Sequence, residues 1–259
     1  MIVEDMEGDS YLVISDIHIG FEDQMNKNGV LFDPRKNMEE ILDLLTRVVT
    51  QTKIRNLIIL GDLKSSIKVI TKAEWIHVPY FIERVLGLVD QVYLVPGNHD
   101  GNIRHLVSRE VNLMSVKGME IKGILFTHGH AASEIGDNIY KIITGHLHPT
   151  ITSGENITSG QQAWVRIILN KKNKNLNNTR GGSSVDSGDK KVDFIIMPHF
   201  NRYLSYNSGF DRYMKRKKTK LPLLNNLLKE KKWNIETVYV ISLDGAIVGA
   251  EHELDKMIN

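Results

Sequence analysis

Five short motifs in the first 150 residues contain side chains that bind divalent metal ions. In chain order they are Asp-Ile-His, Gly-Asp, Gly-Asn-His-Asp, His-Gly-His and Gly-His-Leu-His. Carboxylate oxygens and imidazole nitrogens without thiolates suit Mn, Fe, Zn, Co or Ni. One ion takes three or four protein ligands, so the set is large enough for two ions that share a carboxylate. The polar members are Asp16, His18, Asp62, Asn98, His99, Asp100, His128, His130, His146 and His148.

Each motif follows a short apolar run, rich in β-branched residues, that predicts a buried strand. The runs are continuous rather than alternating, which is typical of strands buried on both faces. Because ligands bind at the carboxyl ends of parallel strands, we expect the motifs to converge at one rim. The predicted strands span residues 11–15, 56–60, 91–95, 123–127 and 140–144.

The segments between and after these strands predict the rest of the architecture. Helical spacing of apolar residues indicates a helix over 34–53, and a second helix over 72–89 that Pro79 kinks or divides. Alternating strands and helices predict a layered α/β core with parallel pairs. Residues 170–191, poor in apolar residues, predict a flexible loop inserted between strands. A second, more antiparallel sheet is predicted from strands at 161–169, 192–197, 237–243 and 246–250, with a turn at Asp244 and Gly245.

The ordered motifs from Asp16 to His148 resemble those of the calcineurin-like metallophosphoesterase family. The resemblance implies an α/β fold, a four-layer α/β/β/α sandwich of two mixed sheets flanked by helices, as one domain over residues 1–259. A narrower resemblance is to the archaeal SbcD-related, ICC-like phosphoesterases. It includes Asp-Ile-His-Ile-Gly-Phe-Glu-Asp, Gly-Asp-Leu-Lys, Gly-His-Leu-His-Pro and the stretch 197–205.

Position by position, the resemblance implies two divalent ions, with Mn²⁺ the first choice and Fe, Zn, Co, Ni or Mg as alternatives. His99 matches the family's catalytic histidine, beside the substrate, and Asp100 is expected to orient its ring. His130 receives no firm role, and Ser65 stands where relatives often carry an acidic residue or histidine. One ion would be held by Asp16, His18, Asp62 and His148, and the other by Asp62, Asn98, His128 and His146, with Asp62 bridging.

The composition excludes several classes of protein. With 41% hydrophobic and 25% charged residues, the chain is neither collagen-like nor a coiled coil. It has no cysteine, hence no disulfides and no cysteine nucleophile. No apolar run is long enough to span a bilayer, and the acidic N-terminus is unlike a signal peptide. We therefore expect a cytoplasmic protein without membrane association.

The charge is unevenly distributed. Residues 166–232 contain 17 Lys and Arg against five Asp and Glu, although the whole chain has a net charge of only +2. Within this part, the basic segment 202–232 predicts contact with nucleic acid, because cations are dense at 214–220 and aromatic residues interleave with Arg202 and Arg212. The cation-rich run leads into a predicted helix over 221–232. The alternative is that the aromatic residues pack on the second sheet while the lysines are solvated. The aromatic residues are Tyr203, Tyr206, Phe210 and Tyr213.

Three functions stay open at this point. The first is a metal-dependent nuclease or nucleic-acid phosphodiesterase, favoured by the basic segment. The second is a small-molecule phosphatase, pyrophosphatase or cyclic-nucleotide phosphodiesterase with the same metals. The third is a non-catalytic scaffold of the same fold, which is disfavoured because His99 and all seven ligand positions are present.

Overall fold

Two β-sheets form the centre of the molecule in the computed structural model. The structure describes residues 1–27, 29, 33–133, 135–151, 160–171, 190–206, 221–229 and 233–250. The first sheet has the strand order β1-β2-β3-β4-β5, and the second has the order β12-β11-β9-β10-β8-β7-β6. The strands are β1 (Ile2–Glu4), β2 (Ser10–Ser15), β3 (Asn56–Leu60), β4 (Gln91–Val95), β5 (Asn112–Leu113), β6 (Met119–Ile121), β7 (Ile124–Thr127), β8 (Lys141–Thr144), β9 (Ala163–Lys171), β10 (Lys191–Ile196), β11 (Trp233–Ser242) and β12 (Ile247–Ala250).

The helices flank the two sheets. Helix α2 begins at Pro34, which suits the first turn because proline has no N–H to satisfy, and the Asp33 carboxylate caps the helix by accepting from the main-chain N–H groups of Arg35 and Lys36. A capping box between Thr71 and Glu74 starts α3. Helix α3 continues through Pro79 as one helix, so of the two predicted effects of this proline, a kink or a division, the division does not occur. The helices are α1 (Glu22–Lys27), α2 (Pro34–Thr52), α3 (Lys72–Leu86) and α4 (Pro222–Lys229), with 3₁₀ turns at Ile103–His105 and Arg202–Tyr206.

Apolar side chains fill three successive layers, so the predicted four-layer α/β/β/α sandwich is confirmed. Helices α2 and α3 cover the outer face of the first sheet, and α4 covers the outer face of the second. Burial of each large apolar side chain contributes about 1.5–3 kcal/mol. Representative members are Leu42, Phe81 and Ile59 in the first layer, Val13, Ile58 and Phe126 between the sheets, and Phe194, Leu223 and Leu224 in the third.

The strand registers bring the candidate loops to one rim. In the first sheet β2, β3 and β4 are parallel, and their last residues Ser15, Leu60 and Val95 are aligned. In the second sheet β7, β8 and β10 are parallel, with Thr127 aligned to Thr144. The fourth and fifth predicted strands therefore belong to the second sheet, and the rim is shared by both sheets rather than formed by one.

Several predicted boundaries shift by a few residues. Strands β3 and β4 coincide with their predictions, whereas β9 extends to Lys171 and β10 begins at Lys191, which shortens the predicted loop at 170–191. The rest of that loop, 172–189, lies outside the described residues. The helix predicted over 221–232 is observed as α4, and residues 207–220 and 230–232 are also outside the described part. None of the described helices is long and apolar enough to cross a membrane.

Candidate metal centre

The backbone of the candidate ligand loops is left-handed at five of the seven predicted ligands. This conformation costs roughly 1–2 kcal/mol at a residue with a side chain, so the surrounding structure must stabilise it. It turns the chain sharply after β2, β3 and β8, which lets Asp16 and His18, two residues apart, face the same site. The φ angles are 56° at Asp16, 51° at His18, 49° at Asp62, 75° at His146 and 48° at His148.

A first group of ligand atoms comes from the loops after β2 and β8. Atoms of Asp16, His18 and His148 all lie within 4.8 Å of one another. Nε2 of His148 is 3.0 Å from Oδ1 of Asp16 and 3.4 Å from Nε2 of His18. Nε2 of His18 is in turn 3.5 Å from Oδ2 of Asp62. These four residues are the predicted ligands of one ion.

A second group forms on the other side of Asp62. Ligand atoms of Asp62, His128 and His146 lie within 4.8 Å of one another. Nε2 of His128 is 3.3 Å from Oδ2 of Asp62 and 3.3 Å from Oδ1 of Asn98. The rings of His128 and His146 are 4.9 Å apart. The structure thus brings all seven predicted ligands together, with Asp62 between the two groups.

Hydrogen bonds from the main chain fix the orientation of these ligands. Nδ1 of His128 lies 2.8 Å from the carbonyl oxygen of Leu60, so this nitrogen carries the proton and Nε2 is left to face Asp62. The main-chain N–H of His146 donates to both oxygens of the Asp16 carboxylate, at 3.3 and 3.1 Å. Each group is therefore linked to the other through the protein.

The buried site keeps its carboxylates charged. Burial by itself would raise the pKa of Asp62, but the imidazoles of His128 and His18 hold that pKa well below its usual range. Burial would likewise lower the pKa of His128, but the carboxylates of Asp62 and Asp16 raise it to about 10. Burial lowers the pKa of His18 and of His146 to about 3, which keeps both imidazoles neutral. The charged carboxylates and the neutral imidazoles of His18 and His146 are donors that suit a divalent cation, and the His128 imidazolium would release a proton when the cation binds.

A glycine makes room for the first group. A β-carbon at Gly145 would lie 2.5 Å from Oδ2 of Asp16 and 2.9 Å from Cβ of Ser15. Both distances are too short for a real contact. The absence of a side chain at this position therefore allows the loop after β8 to approach the Asp16 carboxylate closely.

His99 lies at the edge of the ligand groups. Its side chain is 18% exposed, and Nε2 is 3.9 Å from Oδ2 of Asp62. The ring is oriented by the main-chain carbonyl of Ser65, which Nδ1 contacts. The prediction that Asp100 orients this ring is therefore corrected.

The Asp100 carboxylate joins two loops instead. It accepts from the main-chain N–H groups of Gly97, at 2.8 Å, and Lys64, at 3.2 Å. Burial and the neighbouring charge of Asp62 raise the pKa of Asp100 to about 6. Asp100 thus acts on the backbone that carries His99 and Asn98 rather than on the imidazole.

Two further histidines border the groups. The ring of His130 is 5.3 Å from that of His128, and burial lowers its pKa to about 4. His199, which sequence reasoning missed, is 3% exposed and packs 5.2 Å from His148, ring to ring. A signal for it was present in the sequence, because it follows the strand predicted at 192–197 as the candidate ligands follow theirs.

Of the basic segment 202–232, the structure describes residues 202–206 and 221–229. Nη2 of Arg202 donates to Oε2 of Glu40 at 2.7 Å, and Oη of Tyr203 donates to the same oxygen at 2.6 Å. These two side chains are therefore engaged within the protein. Tyr206 has a described backbone only, and Phe210, Arg212 and Tyr213 lie outside the described residues.

The chain is similar to a known protein family and to solved structures. The family model for calcineurin-like phosphoesterases matches residues 10–177. Among solved structures, nuclease MPE of Pseudomonas putida is 16% identical, with a TM-score of 0.45, over 78% of this chain and 87% of that chain. The phosphoesterase Yfce of E. coli is 15% identical, with a TM-score of 0.38, over 96% and 99% respectively. None of the curated protein sequences matches the chain.

Proposed function

The chain belongs to the calcineurin-like phosphoesterase family, a family of metal-dependent hydrolases, and we propose that it cleaves phosphodiester bonds in nucleic acid with two divalent ions, Mn²⁺ being the first candidate. The observation that carries the proposal is the position of Asp62, whose Oδ2 atom faces ligands of both groups and also His99. A carboxylate placed in this way can contact two ions at once.

The residues that would hold the ions are those of the two groups. One ion would contact Asp16, His18, Asp62 and His148, and the other would contact Asp62, Asn98, His128 and His146. When bound, a pair of divalent ions supplies Lewis acidity that activates water at neutral pH and neutralises phosphate oxygens. The donors are oxygen and nitrogen only, which fits Mn²⁺.

His99 would act on the substrate directly. The Ser65 carbonyl accepts from Nδ1–H, so that Nε2 is the nitrogen available on the ligand side of the ring. When protonated, Nε2–H can donate a hydrogen bond to a phosphoryl oxygen or deliver its proton to the leaving oxygen. The partial exposure of the side chain leaves it open to a substrate.

Nucleic acid as the substrate is supported by charge and by the surface next to His99. The loop after β3, which contacts the His99 ring at Ser65, continues into exposed residues that include Lys68 and leads to Lys72 at the start of α3. Trp75, one turn further, is 51% exposed. Lysines can pair with backbone phosphates, and an exposed indole can stack on a base.

A small-molecule phosphatase or cyclic-nucleotide phosphodiesterase is the second candidate. It is favoured by one observation, namely that Arg202 and Tyr203 of the basic segment are bound to Glu40. Their engagement leaves fewer described cations and aromatic residues for a polymer than the sequence suggests.

The test is a substrate panel with the Mn²⁺-loaded protein. Single- and double-stranded DNA and RNA are compared with nucleotide monoesters and cyclic diesters, with the His99→Ala variant as the background. We expect polynucleotide cleavage, and polymer affinity that falls steeply with salt and weakens in the variant Lys68→Gln/Lys72→Gln but not in the exposed control pair Lys36→Gln/Lys117→Gln. Turnover of nucleotides without polymer affinity would favour the second candidate.

A further inference from the structure

The segment that follows β10 crosses from the second sheet to the first at the rim of the site. The main-chain N–H of Met197 donates to the carbonyl of Thr144 at 2.7 Å, where β8 ends. Three residues later, the N–H of Phe200 donates to the carbonyl of Ser15 at 2.8 Å, where β2 ends. We call residues 197–203 the bracing segment, because they join the ends of the two strands that precede the first ligand group.

Asn201 in this segment is fully buried and supports the loop after β2. Its Nδ2 donates a 2.9 Å hydrogen bond to the carbonyl of Ile17. Its Oδ1 accepts from the main-chain N–H of Tyr203 at 3.1 Å, so the amide orientation is determined. The carboxamide thus uses both of its polar atoms to link the bracing segment to the loop.

Ile17 is the residue between two ligands with left-handed backbone. Asp16 has φ 56° and His18 has φ 51°, and conformations of this kind persist only where neighbouring structure holds them. The hydrogen bond from Asn201 holds the peptide group between Ile17 and His18. Without it, the loop can relax toward more favourable φ values and turn one of the two side chains away from the site.

His199 supports the remaining ligand of the first group. Its ring packs against that of His148 with centroids 5.2 Å apart, and its carbonyl accepts from Nε2 of Gln162 at 3.0 Å. The second group has different support, since His128 is oriented by the carbonyl of Leu60 and by Thr144, whose Oγ1 donates to the His128 carbonyl.

We propose that Asn201 and His199 are positioning residues for the first metal ion, Asn201 through Ile17 and His199 through His148. The inference rests on the proposed assignment of the two ions. The two ions then depend on different supporting residues, so that loss of the bracing contacts weakens binding of the first ion and leaves the affinity for the second unchanged.

The test is Mn²⁺ binding by Asn201→Ala and, separately, by His199→Ala. Calorimetric titration of the metal-free protein should show two ions per chain for the wild type. Each variant should keep one ion at wild-type affinity and bind the other about 10- to 100-fold more weakly. Electron paramagnetic resonance should show the coupled dimanganese signal of the wild type replaced by that of isolated Mn²⁺.

The matched control is Asn56→Ala. Nδ2 of Asn56 also donates to a main-chain carbonyl across strands, that of Ser10 at 3.2 Å, but at the opposite end of the first sheet. The Asn56→Ala variant should bind two ions like the wild type.

Thermal unfolding in EDTA shows whether each test variant is folded. If Asn201→Ala or His199→Ala fails to fold, the test rests on the one that does fold.

The number and location of the bound ions distinguish a failure of this inference from a failure of the proposed function. Anomalous diffraction from variant crystals soaked at a limiting Mn²⁺ concentration should show a strong peak near His128 and His146 and a much weaker one near Asp16, His18 and His148. Equal weakening of both ions, or two ions at wild-type affinity in both variants, would overturn the inference. A wild type that does not bind two ions would instead overturn the proposed function.

Discussion

The main-chain N–H of His99 donates a 2.8 Å hydrogen bond to Oδ1 of Asp62. The bond occupies one carboxylate oxygen and leaves Oδ2 facing the imidazoles of His18 and His128, at 3.5 and 3.3 Å. The residue proposed to contact both ions is therefore joined through the backbone to the residue proposed to act on the phosphate. The position of the Asp62 carboxylate relative to His99 therefore depends on the backbone of the loop after β4 and not on the conformation of the His99 side chain.

His99 contributes both a main-chain N–H, which binds Asp62, and an imidazole, which is proposed to act on the phosphate, and a mutation can remove the imidazole alone. In His99→Ala the main-chain N–H remains, so Asp62 keeps its hydrogen bond and Mn²⁺ binding should be unchanged. The imidazole is lost, and kcat for a phosphodiester such as bis(p-nitrophenyl) phosphate should fall by about 10²–10⁴-fold. His105→Ala, at an exposed histidine in the 3₁₀ turn after β4, is the control and should behave like the wild type. Wild-type turnover by His99→Ala would contradict the proposed role.

Close approach of the loop after β8 to Asp16 makes Gly145 sensitive to substitution. The methyl group of Gly145→Ala would lie 2.5 Å from Oδ2 of Asp16, which is a steric clash. Either the loop or the carboxylate must move to relieve this clash. We expect Mn²⁺ affinity to fall about 10- to 100-fold in a calorimetric titration. In the control Gly87→Ala the nearest atom is 3.4 Å from the new β-carbon, an ordinary contact, and affinity should not change. Equal affinities in the two variants would show that the site tolerates a side chain at Gly145.

Glu22 makes stability depend on pH. Its carboxylate accepts from the main-chain N–H of Gly20 and from Asn37, and burial raises its pKa from 4.5 to about 7. Because the folded state binds the proton more tightly than the unfolded state, the charged form costs stability. This cost develops as the pH rises from about 4.5 to 7 and is constant above that range.

The variant Glu22→Gln removes the cost. Glutamine has only one acceptor oxygen and so loses one of the two hydrogen bonds at any pH, but in urea unfolding in EDTA the free energy of unfolding of the variant, relative to that of the wild type, should rise by up to about 3 kcal/mol between pH 4.5 and pH 8. The control Glu83→Gln, at an exposed position on α3, should show no such pH dependence. A difference in stability between Glu22→Gln and the wild type that is the same at pH 4.5 and pH 8 would contradict this explanation.

The local elements could be predicted well because apolar runs and helix caps are local signals. Strands β3 and β4 coincide with their predictions, and α2 differs from its prediction by one residue. What a buried strand does not encode is the sheet to which it belongs. Runs such as those of β7 and β8 are apolar on both faces in either sheet, so their place beside β10 could not be read from periodicity.

The candidate ligands could be found because their side chains are chemically distinctive, whereas much of their support could not. The contact between the His99 ring and Ser65 uses a main-chain carbonyl, which every residue has, and Asp100 was the more obvious candidate in sequence. Asn201 supports Ile17 from 184 residues away. Only the crossing of the chain between the two sheets brings such residues together.

The most direct test of the central claim is anomalous diffraction from crystals of the wild type grown with Mn²⁺. We expect two peaks about 3.5–4 Å apart, both in contact with the Asp62 carboxylate. One should also contact Asp16, His18 and His148, and the other Asn98, His128 and His146. A single peak, or two peaks of which only one contacts Asp62, would contradict the claim that this aspartate is shared between two ions.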